Sequence, residues 1–288
     1  MSQLLGVFIL VALACGLIYV LFHPQWVVLL VIVMFPLEQL LQVYFPFFSQ
    51  YASLLNYMVG FMTLLVVLAA FVRGKSPAAG YKNPATIAIG LLFLLVFATL
   101  VYSPGRNFAL NVLFPRGIAY CGLYLILLPL VIPGIREFRS ILVGLLLVGG
   151  LMSMFIVLNP NATLKAGRLV FEVGAYAGQM RSNPLALASM GGQIAVVAVL
   201  MQSDRRQWLL FILRAVAFLF GIGLALQTGS RGQVLAAVAT AAVCFPLARR
   251  LKNPTQFLFA LAGSAVVMAG FYVAFKMFFS HEQFGRWD

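Results

Sequence analysis

The sequence predicts an all-α fold, a polytopic transmembrane helical bundle with about ten spans, and three observations support this prediction. Of the 288 residues, 63% are hydrophobic and 9% are charged, and the mean hydropathy is +1.04. Soluble domains contain about 45–50% apolar and about 25% charged residues. The apolar residues also form repeated runs of about 20 residues, the length that a helix needs to cross the hydrocarbon core, whereas barrel strands would be shorter and alternating.

Apolar runs between polar breaks predict the spans in chain order. We find no internal repeat and no linker, so residues 1–288 are expected to form a single membrane domain. The first run has no basic residue before it and no small-residue cleavage site after it, which indicates a retained span. The predicted spans are Leu4–Phe22, Trp26–Tyr44, Leu54–Val72, Ala85–Tyr102, Ile118–Ile135, Ile141–Leu158, Leu185–Met201, Trp208–Leu226, Gln233–Ala248 and Phe257–Phe279.

Basic residues in the short loops predict the orientation, because cytoplasmic loops carry an excess of Lys and Arg. If the basic clusters are cytoplasmic, every span from the third onward alternates, and residues 159–184 form an outer, periplasmic loop. A re-entrant second segment, "FPLEQLLQVYFPFF", would change the side of the first two spans. The clusters are Arg73, Lys75 and Lys82; Arg136 and Arg139; Arg205 and Arg206; and Arg249, Arg250 and Lys252.

The composition excludes several classes of function. The net charge is +13, yet a chain with so little polar surface offers no soluble basic face, so nucleic acid is not an expected partner. Three cysteines inside apolar runs, two histidines and six carboxylates predict neither a disulfide framework nor a metal site. Membrane lipids are the expected surroundings.

The predicted outer segments nevertheless contain basic residues with few acidic neighbours. Unpaired guanidinium groups beside a membrane are best satisfied by phosphate, which arginine grips with two parallel hydrogen bonds. Headgroup anchoring is the simpler interpretation, above all for Arg106 and Arg116. The outer basic residues are Arg106, Arg116, Lys165, Arg168, Arg181, Arg231 and Arg286.

The segment "QTGSRGQVLAA" separates two apolar runs and contains one of these arginines. Thr228 and Gly229 are expected to end one helix and Ser230 to cap the next, while Gly232 allows a tight turn and Arg231 stands in the first helical turn. The backbone amides of a helix N-terminus and a guanidinium both favour an anion. A short Gly- and Ser-containing turn that reaches headgroup phosphates is the alternative.

"LALQTGSRGQVLAA" resembles the signature of the O-antigen ligase and polymerase superfamily. "RSNPLALASMGGQ", at 181–193, resembles that family's Asn-Pro-x-x-x-Ala entry into a span, and "FGRWD", at 284–288, resembles the start of its large periplasmic loop. The ordered set covers residues 167–288, within which residues 280–288 would begin a further outer loop.

The resemblance implies transfer of a glycan from an undecaprenyl-pyrophosphate donor to a hydroxyl acceptor at the periplasmic face of the bacterial inner membrane, without metal or cofactor. Ligase and polymerase activities stay open. The arginine role in pyrophosphate binding carries over to Arg231 and Arg286, and substrate contact extends to Ser230, Arg168 and Arg181.

The sequence departs from the family after this point. Related enzymes continue into a long loop with a histidine thought to activate the acceptor, whereas here the last candidate base is His281, whose neighbours do not match that motif. We therefore expect the chain to be the N-terminal part of such an enzyme or a truncated product. A non-catalytic membrane protein is the corresponding alternative.

A transporter or flippase for an anionic or lipid-linked solute is an alternative from another class. Glu38 is a carboxylate inside an apolar run, and an ionisable group in a span is a functional candidate, although Pro36 beside it suggests a break that reaches water. Arg214 and Lys276 also fall in spans, within reach of an interface, and receive no function.

Overall fold

A computed structural model of the chain describes residues 7, 11, 14–16, 18–51, 53–102, 111, 114–132, 134–159, 162–165, 168–172, 179–181, 184–202, 207–248 and 253–278. Within these ranges the chain is a helical protein with one small sheet. The helices carry the apolar runs, so the predicted helical class is confirmed.

The described helices are numbered here in chain order. Two of them, α5 and α6, pass through π-helical segments, Gly122–Leu127 and Leu145–Gly149. A 3₁₀ helix, Pro77–Lys82, lies between α3 and α4. The helices are α1, Trp26–Tyr44; α2, Pro46–Gln50; α3, Leu54–Val72; α4, Pro84–Val101; α5, from Phe114 to Val131; α6, Ile135–Val157; α7, Pro184–Leu200; α8, Trp208–Gln227; α9, Arg231–Ala248; and α10, Pro254–Phe278.

Among the residues that the structure describes, four helices are long and apolar enough to cross a membrane, namely α1, α3, α6 and α8. Apolar segments of α4, α5, α7 and α9 are shorter than 18 residues. The bounds of α1 and α3 coincide with the predicted spans, α2 was not predicted, and α4 to α10 differ from the predicted spans by up to six residues at their ends. The first predicted span, Leu4–Phe22, lies partly outside the described residues, and those of its residues that are described, 7, 11, 14–16 and 18–22, are helical. The protein is therefore a helical membrane protein.

The chain divides into two compact units. Unit 1 contains residues 1–11, 32–55 and 142–288, and unit 2 contains residues 12–31 and 56–141. In unit 2, α5 packs against α4, where the ring of Phe97 faces Gly117, and against the 3₁₀ helix, where Pro129 contacts Gly80. Small residues therefore let these apolar segments approach closely.

Unit 1 is built around the pair α7 and α8. A Cβ atom added at Gly191 of α7 would collide with the carbonyl oxygen of Gly221 and lie 3.0 Å from the backbone nitrogen of Ala225, both in α8. Helices in a membrane associate mainly through such close packing, because lipid is as apolar as the side chains. The α7–α8 contact therefore depends on glycine at position 191.

A half-buried arginine, Arg214, joins the C-terminal end of α7 to the N-terminal part of α8. From the second turn of α8, Arg214 Nε donates a hydrogen bond to the carbonyl oxygen of Ala198 at 2.7 Å, and Nη2 donates to that of Val199 at 3.4 Å. These carbonyls belong to the last turn of α7, where helical carbonyls lack helical partners and a cation is favourable. Arg214 therefore caps α7, a role that the sequence did not reveal.

The outer loop predicted at 159–184 contains a three-stranded antiparallel sheet. Its strands are β1, Ala162–Lys165; β2, Arg168–Glu172; and β3, Gln179–Arg181, in the order β1-β2-β3. Leu169 and Phe171 of β2 are 2% and 0% exposed, so one face of the sheet is buried. No strand is predicted in this loop from the sequence, although its apolar alternation, Leu169 then Phe171, is a signal that indicates a strand.

We expect Gly191→Ala to lower the thermal unfolding midpoint of the detergent-solubilised protein. Overpacking a close contact costs about 1–3 kcal/mol. Gly223→Ala, in α8 where an added Cβ meets no described atom within 4 Å, is the matched control. It should leave the midpoint unchanged or raise it, because alanine favours a helix over glycine by about 1 kcal/mol. Equal midpoints for the two variants would contradict the close contact.

Candidate functional site

The turn between α8 and α9 is a short, well-defined helix end. The backbone N–H of Thr228 donates to the carbonyl of Leu224 at 3.2 Å, and that of Gly229 donates to the carbonyl of Leu226 at 3.0 Å. The fully buried Thr228 hydroxyl donates to the carbonyl of Ala225 at 2.7 Å. Gly229 has φ 67°, the left-handed conformation that ends many helices and that a residue with a Cβ adopts only with strain. The predicted helix end at Thr228 and Gly229 is confirmed.

The next helix begins at Arg231, as the sequence predicted. The carbonyl of Ser230 accepts a hydrogen bond from the backbone N–H of Val234 at 3.2 Å, so Ser230 occupies the N-cap position and is half-buried. The prediction that Gly232 makes the turn is wrong: Gly232 lies inside α9 with ordinary helical geometry, and Gly229 supplies the reversal. The backbone N–H groups of the first turn of α9 are those that a bound anion can use.

The sheet packs at the same end of unit 1 as this turn. Leu164 of β1 contacts a buried cluster formed by Ala195, Ile222 and Leu226, and Val234 of α9 packs against that cluster as well. Leu226 and Val234 flank the turn in sequence. The strand that carries Leu164 therefore lies beside the turn that ends at Arg231.

Register places three basic residues of the sheet on one face. Lys165 pairs with Arg168, and Arg181 pairs with Val170, whereas Leu164 pairs with Leu169. Because successive residues of a strand alternate between faces, positions 165, 168 and 181 share the face opposite to the buried Leu169 and Phe171. The structure thus brings the segments of Arg168, Arg181, Ser230 and Arg231 to one end of unit 1.

Buried polar groups accompany these segments. Tyr44, at the end of α1, shares a side-chain hydrogen bond with Asn159, which follows α6 and is 5% exposed. Among the described residues, the buried oxygens Thr163 Oγ1 and Gln227 Oε1 have no hydrogen-bond partner. A buried polar atom without a partner is costly, so it commonly marks a place for a ligand or water.

Sequence reasoning missed Asn159, Thr163 and Gln227. Each is a polar residue beside the end of an apolar run, and Gln227 directly precedes the "TGSRG" segment. What these three residues share is their position near the start of a predicted outer segment. This signal is weak in the sequence because polar residues flank nearly every span.

Several predicted site residues lie outside the described residues, among them Arg286, His281 and Arg106. Arg116 lies in α5, which is part of unit 2, whereas the turn at Arg231 is part of unit 1. In the part of the chain that the structure describes, no three side chains of His, Cys, Asp and Glu come together as a group that could hold a metal ion.

Glu38 occupies a different setting, inside α1. It is 9% exposed, and the amide of Gln42 donates a hydrogen bond to its Oε1 at 3.1 Å. The neighbouring Gln39 is also buried, with 8% exposure. A polar stretch therefore lies within a helix that is otherwise apolar and long enough to cross a membrane.

Comparison of the chain with protein-family models, curated proteins and solved structures finds no match. The geometry of the residues themselves is therefore the basis for a function.

We expect Gly229→Ala to destabilise the protein by about 1–2 kcal/mol, because alanine in the left-handed conformation clashes with the adjacent backbone. Gly229→Asn should destabilise the protein less than Gly229→Ala, since asparagine tolerates the left-handed conformation better than alanine does. Gly232→Ala is the control and should be neutral or slightly stabilising. The thermal unfolding midpoints of all three variants are measured in the same detergent. A larger drop in midpoint for Gly232→Ala than for Gly229→Ala would mean that Gly229 is not the left-handed residue of the turn.

Proposed function

We propose that this chain is a multi-pass glycan transferase of the bacterial inner membrane. It acts on an undecaprenyl-pyrophosphate-linked saccharide during synthesis of a surface polysaccharide, as a ligase or a polymerase. The observation that carries the proposal is the helix start at Ser230–Arg231, where the first N–H groups of α9 suit an anion. The three-stranded sheet packs beside it through the face of Leu164, and the basic positions Lys165, Arg168 and Arg181 share the other face of that sheet.

The chemistry of the leaving group matches this arrangement. The acceptor hydroxyl oxygen forms a bond to the anomeric carbon, and the bond from that carbon to the pyrophosphate oxygen breaks, its electron pair staying on the pyrophosphate. The leaving group gains negative charge in the transition state, so fixed cations and helix-terminal N–H groups stabilise the transition state more than the ground state. Arg231, at the start of α9, holds this position in the proposal, with Arg168, Arg181 and Arg286 extending the anion site.

The acceptor proton must leave for a base during the same step. His281, the candidate suggested by the sequence, lies outside the described residues, so the proposal assigns no base within the part of the chain described. Within the described part of the chain, Arg231, Arg168 and Arg181 are proposed to bind the donor and stabilise the leaving group, and Arg286 would add to them from outside that part.

Buried polar atoms support saccharide binding beside the phosphate site. A sugar offers several hydroxyl groups, each able to donate and accept hydrogen bonds. Thr163 Oγ1 and Gln227 Oε1 are acceptors that a sugar hydroxyl can satisfy. They belong to the strand beside the turn and to the helix end before it, so a donor with its pyrophosphate at Arg231 would have its first sugar within reach.

The membrane topology of the proposal has about ten spans, and the active end faces the periplasm. Basic loop clusters at 73–82, 136–139, 205–206 and 249–252 then face the cytoplasm, as the distribution of Lys and Arg favours. The hydroxyl acceptor, a lipid or a growing glycan, would reach Arg231 from the outer side.

A transporter or flippase is the second candidate, and Glu38 is the observation that favours it. A buried carboxylate in a span, hydrogen-bonded to Gln42, is typical of ion- or proton-coupled pathways. The two candidates make different demands: transfer needs Arg231 and creates a glycosidic bond, whereas transport needs Glu38 and leaves the substrate unchanged.

We expect Arg231→Ala to reduce glycan transfer about 100- to 1,000-fold, the usual effect of removing one group that stabilises developing negative charge. Arg231→Lys should retain part of the activity, because it keeps the charge and loses the two-pronged geometry. The measurement is product formed from an undecaprenyl-pyrophosphate oligosaccharide in proteoliposomes, together with surface polysaccharide in host cells that carry each variant.

The matched control is Arg136→Ala, which removes an exposed arginine from unit 2. All variants are compared at equal protein level in the membrane. Normal surface polysaccharide with Arg231→Ala would overturn the proposal. Movement of labelled substrate across the bilayer without new product, abolished by Glu38→Gln, would favour the transporter.

A further inference from the structure

A small cleft in unit 2 lies beside the end of α3. Its walls are apolar and include Leu21 of the N-terminal segment, Val66 of α3 and Leu130 of α5. Arg73 and Lys75 line the same cleft and are exposed to the surroundings. The cleft therefore combines an apolar interior with two cations.

The end of α3 fixes the backbone positions of both basic residues. The N–H of Gly74 donates to the carbonyl of Phe71 at 2.9 Å, and the N–H of Lys75 donates to that of Ala70 at 3.0 Å. Gly74 has φ 72°, so this pair of bonds closes the helix with a left-handed residue between the two basic residues. Arg73 and Lys75 thus start from fixed backbone positions on either side of one turn.

Charge and depth indicate the kind of ligand. None of the residues that line the cleft is acidic, so the cleft has a single sign of charge. The cleft lies at the end of Leu54–Val72, a helix long and apolar enough to cross the membrane, and such an end lies near the phosphate layer of a bilayer. Basic pockets between spans at this depth are typical binding sites for anionic lipid headgroups.

The size of the cleft limits what enters it. Its volume is about 40 Å³, room for little more than one water molecule in the liquid. It can therefore receive only one small apolar group, such as a single methylene, while the glycerol carbons and the acyl chains of a lipid lie at its mouth.

We propose that this cleft binds an anionic phospholipid, with its phosphate at Arg73 and Lys75 and its glycerol region at the apolar mouth of the cleft. Arginine supplies two parallel hydrogen bonds to a phosphate, and lysine supplies a compact charge. The site is independent of the turn at Arg231 and of glycan transfer.

The test is native mass spectrometry of the full chain in detergent, titrated with dioleoylphosphatidylglycerol or dioleoylphosphatidylcholine. We expect the anionic lipid to bind more tightly, and Arg73→Gln combined with Lys75→Gln to weaken its binding about 25-fold, since each basic residue near a membrane surface contributes about a factor of five. The control, Lys82→Gln with Arg136→Gln, removes the same charge from exposed positions outside the cleft and should change the affinity less than twofold.

Three outcomes would overturn the proposal. Equal binding of the two lipids would mean that the charges do not select the ligand, and equal losses in both double variants would mean that only net charge matters. The third outcome concerns a free anion. If millimolar inorganic phosphate displaces the lipid and Ala69→Leu, which narrows the cleft, leaves lipid affinity unchanged, then the cleft binds phosphate alone.

A structural role for the two cations has its own signature. If Arg73 and Lys75 serve only to complement the negative end of the α3 dipole, their replacement lowers the thermal unfolding midpoint and leaves lipid affinity at the wild-type value. That result also contradicts the lipid site. The expected result is the reverse, with an about 25-fold loss of affinity for the anionic lipid and a rise in the unfolding midpoint on adding that lipid to the wild type only.

Discussion

The contact between Gly191 of α7 and the backbone of α8 is the constraint on which the rest of unit 1 depends. A bilayer provides no hydrophobic force between helices, so close van der Waals packing must hold the pair together. At Gly191 the approach leaves no room for a Cβ, because the carbonyl of Gly221 occupies that space. Once this crossing is set, the cluster of Ala195, Ile222 and Leu226 forms beside it, and β1 packs against that cluster through Leu164. The position of the sheet beside the turn at Arg231 follows from one glycine contact.

The two ends of the α7–α8 pair satisfy their backbone hydrogen-bonding groups in different ways. At one end, the guanidinium of Arg214 satisfies carbonyls of α7. At the other, the helix end at Thr228 and Gly229 satisfies the carbonyls of α8 internally and leaves the first N–H groups of α9 available. One end therefore uses a cation of the chain itself, and the other presents donors that suit an external anion. This asymmetry supports the proposed binding of an anion at the Arg231 end.

Hydropathy predicted most helices because the period and length of apolar runs report burial in lipid directly. Trp26–Tyr44 and Leu54–Val72 were predicted with their observed bounds, and the helix start at Arg231 followed from the turn residues before it. The three strands at 162–181 were missed, since short strands with two or three apolar residues carry little periodic signal. Gly229 and Gly232 could not be distinguished from sequence, because both flank the same turn and only backbone geometry identifies the left-handed residue. Arg214 illustrates a more general difficulty: its partners are backbone carbonyls, which have no signature in the sequence.

The capping of α7 by Arg214 has a consequence for how this protein responds to its surroundings. A guanidinium stays charged throughout the physiological range, and a backbone carbonyl has no proton to gain or lose. The two hydrogen bonds to Ala198 and Val199 therefore do not weaken as the medium becomes more acidic or more basic, whereas a pair between an arginine and a carboxylate would fail at low pH. The chain has 19 basic residues and only six acidic ones, so it cannot pair most of its cations with carboxylates. By using main-chain oxygens as acceptors, α7 and α8 gain a connection that is insensitive to the pH on either side of the membrane.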